Sequence, residues 1–247
     1  MPPEVPVILA GAFVAAFAVG AVGFGDALIV AAIWLFVLEP AVAVPLMVMC
    51  GVLLYAVTLV RMRRRLDFSA VMPFVIGGAL GVPGGAWLLA MADATLFRLG
   101  VGAFLVVYAG VFLLVRAMPR VTMGGRTADG AVGVVGGILV GLAGFGAVAP
   151  AIWSGLRGWP MDRQRGAFQA FGLAIDVVAL AWFLGNGMIA PAVGVYFLWC
   201  VPATLIGAGL GMWFYGRLDE RLFRRMVLGL LLVSGVLMLI EVGGGFR

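Results

Sequence analysis

Two triplets of the form Gly-Phe-Gly are the first candidates for chemistry in this sequence. They stand at Gly23, Phe24, Gly25 and at Gly144, Phe145, Gly146, each inside a long apolar stretch, and Asp26 follows the first directly. Glycine permits turn dihedrals and lets a ligand approach the backbone closely. A helix that starts after such a turn directs unpaired N–H groups, and the positive end of its dipole, at whatever lies before it. Two such turns facing one another form a cradle for an anion, with Phe24 and Phe145 as its walls. The competing reading is packing, because small residues let membrane helices approach closely and the chain has 38 glycines.

The polar residues within apolar runs are the second group. Asp176 stands about eleven residues into the run 166–185, and Gln169, seven residues earlier, shares its helix face. Intramembrane carboxylates are functional candidates by default. Asp176 is therefore a candidate carrier of a coupling proton, against the alternative of a structural hydrogen bond to a neighbouring helix or to Tyr55. Asp26 has two readings as well. It caps the free N–H groups of the helix it begins, or it links a proton to the anion; its counterpart in the second half is Ala147, so either role belongs to one half only.

Composition narrows the classes. Of the 247 residues 64% are hydrophobic and 11% charged, which exceeds any soluble core and indicates one polytopic membrane domain, all-α, over residues 1–247. All 16 basic residues are arginine, and histidine is absent. Histidine-based zinc sites, Ser-His-Asp catalysis and haem ligation by histidine are thereby excluded. Cys50 and Cys200 lack metal-ligand spacing and read as small buried hydrophobes. No catalytic residue, metal or other cofactor is expected, and no nucleic-acid partner, because the arginines sit in short loops between apolar runs.

The elements that position these residues follow from run lengths. The runs 41–60, 69–92, 99–115, 166–185, 190–215 and 226–242 are long enough to cross roughly 30 Å of hydrocarbon. The run 26–38 gives only about 20 Å of helix and cannot. Residues 5–22, which lack the basic flank of a cleaved leader, enter the membrane, turn at the triplet, and 26–38 returns. A shift of 121 residues superposes the two triplets and lays 51–60 on 172–181; near the ends, 95–114 lies on 221–240 with a shift of 126. Repeat one (1–117) and repeat two (130–247) are thus related through a cytoplasmic linker, 118–129. Each carries a re-entrant hairpin and three spans, an odd number of crossings, so the second is inverted. With the N-terminus outside, fourteen arginines fall inside and only Arg98 and Arg247 outside, a positive-inside pattern that places both termini outside. Trp34 and Trp153, late in the return helices, read as interfacial anchors. Pro83 and Pro202 read as kinks in the fourth helix of each half.

The glycine turn after the first segment, the duplicated half and the basic loop after the first long span resemble the TauE/SafE family of membrane permeases. That resemblance implies export of sulfite or organosulfonates across the bacterial inner membrane. The expected partners are a small anionic substrate and the bilayer; oligomeric state stays open. No Walker motif is present, so a secondary transporter is expected. An assembly factor for a membrane complex, or an intramembrane enzyme without histidine, are the alternatives.

Overall fold

The computed structural model describes residues 3–21, 23, 25–62, 68–115, 120–121, 124–215, 217 and 219–244. In order the helices are α1 (Val5–Ala21), α2 (Asp26–Trp34), α3 (Pro40–Met62), α4 (Phe68–Met91) and α5 (Ala94–Leu114), then α6 (Gly125–Ala143), α7 (Val148–Leu156), α8 (Met161–Gly185), α9 (Pro191–Phe214) and α10 (Glu220–Gly244). Among the described residues seven helices are long and apolar enough to cross a membrane: α3, α4, α5, α6, α8, α9 and α10. Six were expected. The additional one is α6, which starts at Gly125, inside the stretch read as linker. The first return helix is shorter than its apolar run, since α2 stops at Trp34 and residues 35–37 form a turn. At nine residues each, α2 and α7 reach about 14 Å, less than half the hydrocarbon thickness.

Helix pairing has an exchange pattern. α1 packs along α9 and α6 along α4, while α3 faces α8 and α5 faces α10. Swapping α1–α5 for α6–α10 converts the first pair into the second and each of the others into itself. The long seams are lined by glycines at four-residue spacing. A Cβ at Gly77, Gly81 or Gly85 would strike the carbonyls of Gly130, Val134 and Ile138, and one at Gly133, Gly137 or Gly141 those of Phe74, Gly78 and Val82. In the equivalent seam Gly207 and Gly211 meet the carbonyls of Phe13 and Phe17. Backbone rests on backbone, as small residues allow in a membrane where helices gain nothing from hiding apolar surface. Valine at Gly81 is therefore expected to abolish the folded, monodisperse species on size exclusion. Alanine at Gly84, where a Cβ meets nothing within 4 Å, serves as the control and leaves that species unchanged.

Each short helix is tied to the helix before it by an indole. Trp34 is 0% exposed, and its Nε1–H donates to the Ile8 carbonyl at 3.1 Å, so the end of α2 lies beside the fourth residue of α1. This corrects the reading of Trp34 as an interfacial anchor: the bare backbone of Gly11 makes room for the ring. Trp153 Nε1–H donates to Asp129 Oδ1 at 2.7 Å, and Arg157 sits 3.8 Å from the same carboxylate. Under the 121-residue shift Asp129 is the counterpart of Ile8. Under the same shift Trp34 falls on Gly155 and Trp153 on Ala32, so the two ties share an acceptor position, one main-chain and the other a carboxylate, but not the position of the indole.

Candidate functional site

The first break is built around Gly23 and Gly25, with φ of 102° and 99°, values that a Cβ disfavours. The last carbonyls of α1 would be orphaned by the break. Arg165 supplies the partner: its Nη2 donates to the carbonyls of Val19 at 3.1 Å and Gly20 at 3.0 Å, placing a cation at the negative end of the helix dipole. Its guanidinium also lies 4.4 Å from the Tyr215 ring centre. One turn further along α8, Gln169 is fully buried and donates from Nε2 to the Gly23 carbonyl at 3.1 Å. Asp26 opens α2, and its carboxylate accepts from the Tyr55 hydroxyl at 2.8 Å. The N-cap position of α2 is Gly25 and carries no side-chain cap bond; the hydrogen bond of the Asp26 carboxylate runs to Tyr55 instead. Phe24 lies outside the described residues.

The second break closes differently. Gly144 is left-handed, at φ 75°; its N–H donates to the Val140 carbonyl at 2.9 Å and that of Phe145 to Leu139 at 3.1 Å. These bonds finish α6 in the usual glycine-terminated manner, so the N–H groups of residues 144 and 145 already have partners. Phe145 is 2% exposed and stacks on Phe104 of α5 with ring centres 5.5 Å apart. At Gly146 a Cβ would lie 3.0 Å from both Ile175 and Val140.

The two breaks approach one another across α3. Met47 lines a cavity with Asp26, Ala27, Cys50, Gly51 and Thr204, and its sulfur would lie 3.3 Å from a Cβ on Gly144. Tyr55 bonds Asp26 and belongs to the apolar cluster against which Ala147 packs. The cavity is about 20 Å³, enough for one or two waters by the measure in which one needs roughly 10–15 Å³. Asp176 and Gln169 do not line it, although both are buried on the inward side of α8. Asp176 instead places its carboxylate where a Cβ on Gly51 would go, while Tyr55 fills the corresponding space, at 2.7 Å, over Gly172. Residues 51 and 55 correspond to 172 and 176 under the 121-residue shift, so each half's glycine receives the other half's polar residue.

Sequence reasoning missed the local role of Arg165, which it counted only as a topology marker, and missed Thr204, whose buried Oγ1 has no hydrogen-bond partner. Cys50 and Cys200 are free and buried, as expected. Among the described residues no cluster of three or more metal-ligating side chains occurs.

The family model described as "Sulfite exporter TauE/SafE" matches residues 8–238 of the chain. No curated protein and no solved structure matches it.

Proposed function

This chain belongs to the TauE/SafE family of membrane transporters, and from that premise we propose that it is a secondary transporter exporting small sulfur-containing anions, sulfite or organosulfonates, across the bacterial inner membrane. Both termini lie outside, and two inverted repeats each contribute one re-entrant hairpin, α1–α2 and α6–α7. The exchange-related helix pairs support the inversion. The indole ties support re-entrance, since they return the ends of α2 and α7 to the level where α1 and α6 begin.

The observation that carries the reading is Arg165, a guanidinium held at a glycine break next to the carbonyl end of α1 with its Nε–H buried and unpaired. Non-helical backbone at membrane depth is tolerated where it lines a cavity or is buried in protein, and discontinuous helices form transporter sites. The anion binds at Gly23, Phe24, Gly25 and Asp26 against Arg165 and Gln169, with Gly144, Phe145 and Gly146 closing the far side through Met47. Asp26, Tyr55 and Asp176 form the coupling group. The inside-negative potential favours anion exit by about 2.3 kcal/mol per charge per 100 mV, so protons modulate a flux that is already downhill. Purified protein in liposomes is expected to move sulfite or an alkanesulfonate down an imposed potential. Flux no greater than that of empty liposomes for both anions rejects the transport reading in favour of a non-transporting membrane protein.

A further inference from the structure

At the first break two buried polar atoms of opposite character lack a hydrogen-bond partner: Arg165 Nε, a donor, and Gln169 Oε1, an acceptor. They belong to residues one turn apart on α8 and meet the same glycine. A Cβ on Gly23 would lie 2.7 Å from Arg165 Nε, and the Gln169 amide nitrogen donates to the Gly23 carbonyl at 3.1 Å. That bond also fixes the orientation of the amide. A carbonyl only accepts, so the nitrogen must face Gly23 and the oxygen is the atom left over. Gln169 is 0% exposed, and buried polar atoms without partners are rare because each forfeits its hydration with nothing in return.

A ligand that relieves both atoms must accept at one point and donate at another. A simple alkanesulfonate or the sulfite dianion presents acceptors alone; it satisfies Arg165 and sets a lone pair against Gln169 Oε1. We propose that Gln169 makes the first break selective for sulfur oxyanions that carry their own hydrogen-bond donor. The oxyanion accepts from Arg165 Nε–H, and the donor is given to Gln169 Oε1. Hydrogensulfite, with its hydroxyl form, and an aminoalkanesulfonate, with its ammonium, share this chemistry. The inference rests on the proposed transport of sulfur anions and adds the residue that discriminates among them.

The test is calorimetric titration of the purified full-length chain with four ligands: 2-aminoethanesulfonate, ethanesulfonate, and sulfite on the acid and on the alkaline side of neutrality. The donor-bearing partner of each pair is expected to bind about tenfold more tightly, the size of one buried hydrogen bond to an otherwise unpaired acceptor. A preference in the sulfonate pair alone identifies the ammonium as the donor, and in the sulfite pair alone the hydroxyl. Gln169→Leu is expected to erase the preference within each pair. The wild-type ligand series stands without it should that variant fail to fold. Equal affinity within both pairs in wild type overturns the selectivity and leaves the transport reading standing. Absence of binding by all four overturns both.

Discussion

Arg165→Met is expected to reduce sulfite affinity by about 10- to 150-fold, the range for a lost hydrogen bond to a charged group, and to bring transport near background. Methionine keeps an unbranched stem against Tyr215 but removes the cation and the two bonds to the carbonyls of Val19 and Gly20. The same change leaves the end of α1 without its cap, so some loss of thermal stability accompanies it. Arg165→Lys separates the two effects. It retains the positive charge but not the planar fork that reaches two carbonyls while keeping Nε–H free; binding should fall to an intermediate level. The measurement is anion affinity of protein that elutes as a monodisperse species. A methionine variant that melts earlier but binds sulfite like wild type would reduce Arg165 to a helix cap and remove the anion from the first break.

Why Arg165 was not legible as a site residue is a matter of helix registration. Hydropathy starts the run at 166, which leaves the arginine in a loop and makes it one of fourteen inward markers. In the structure α8 begins at Met161, so Arg165 is already helical and shares a face with Gln169 four residues on. The breaks were legible, because glycine within an apolar run is a local signal, borne out by the positive φ of Gly23, Gly25 and Gly144. The partners across the fold were not: Tyr55 reaches Asp26 over 29 residues, and Trp34 is buried only because Gly11 faces it. Hydropathy scores an aromatic near a helix end as interfacial and carries no information about the helix opposite. The glycine count pointed both ways for the same reason. Most seam glycines meet a backbone atom and serve packing, whereas Gly23 and Gly25 turn the chain, a distinction that rests on φ and the neighbouring helix.

Asp176→Asn is expected to remove the proton-dependent component of transport entirely while the potential-driven component persists. Asparagine is nearly isosteric, so the space above Gly51 that the carboxylate occupies stays filled and the contact between α3 and α8 survives. What is lost is the capacity to gain and release a proton, the property for which carboxylates are retained inside membranes. The same glycine connects Asp176 to the ring of Tyr55, 3.8 Å from the Cβ position on Gly51. Tyr55 in turn donates to Asp26 at the start of α2, so its ring lies between the two carboxylates' neighbourhoods. Tyr55→Phe removes the hydroxyl that donates to Asp26 while leaving both carboxylates in the chain. It should weaken the proton-dependent component in the same direction as the asparagine variant. The measurement is sulfite efflux from liposomes, at fixed potential, with and without an imposed pH gradient. If both variants keep the wild-type response to the gradient and differ only in melting temperature, the Asp26, Tyr55 and Asp176 group is a structural bolt between the halves, and coupling, where it exists, runs through other residues.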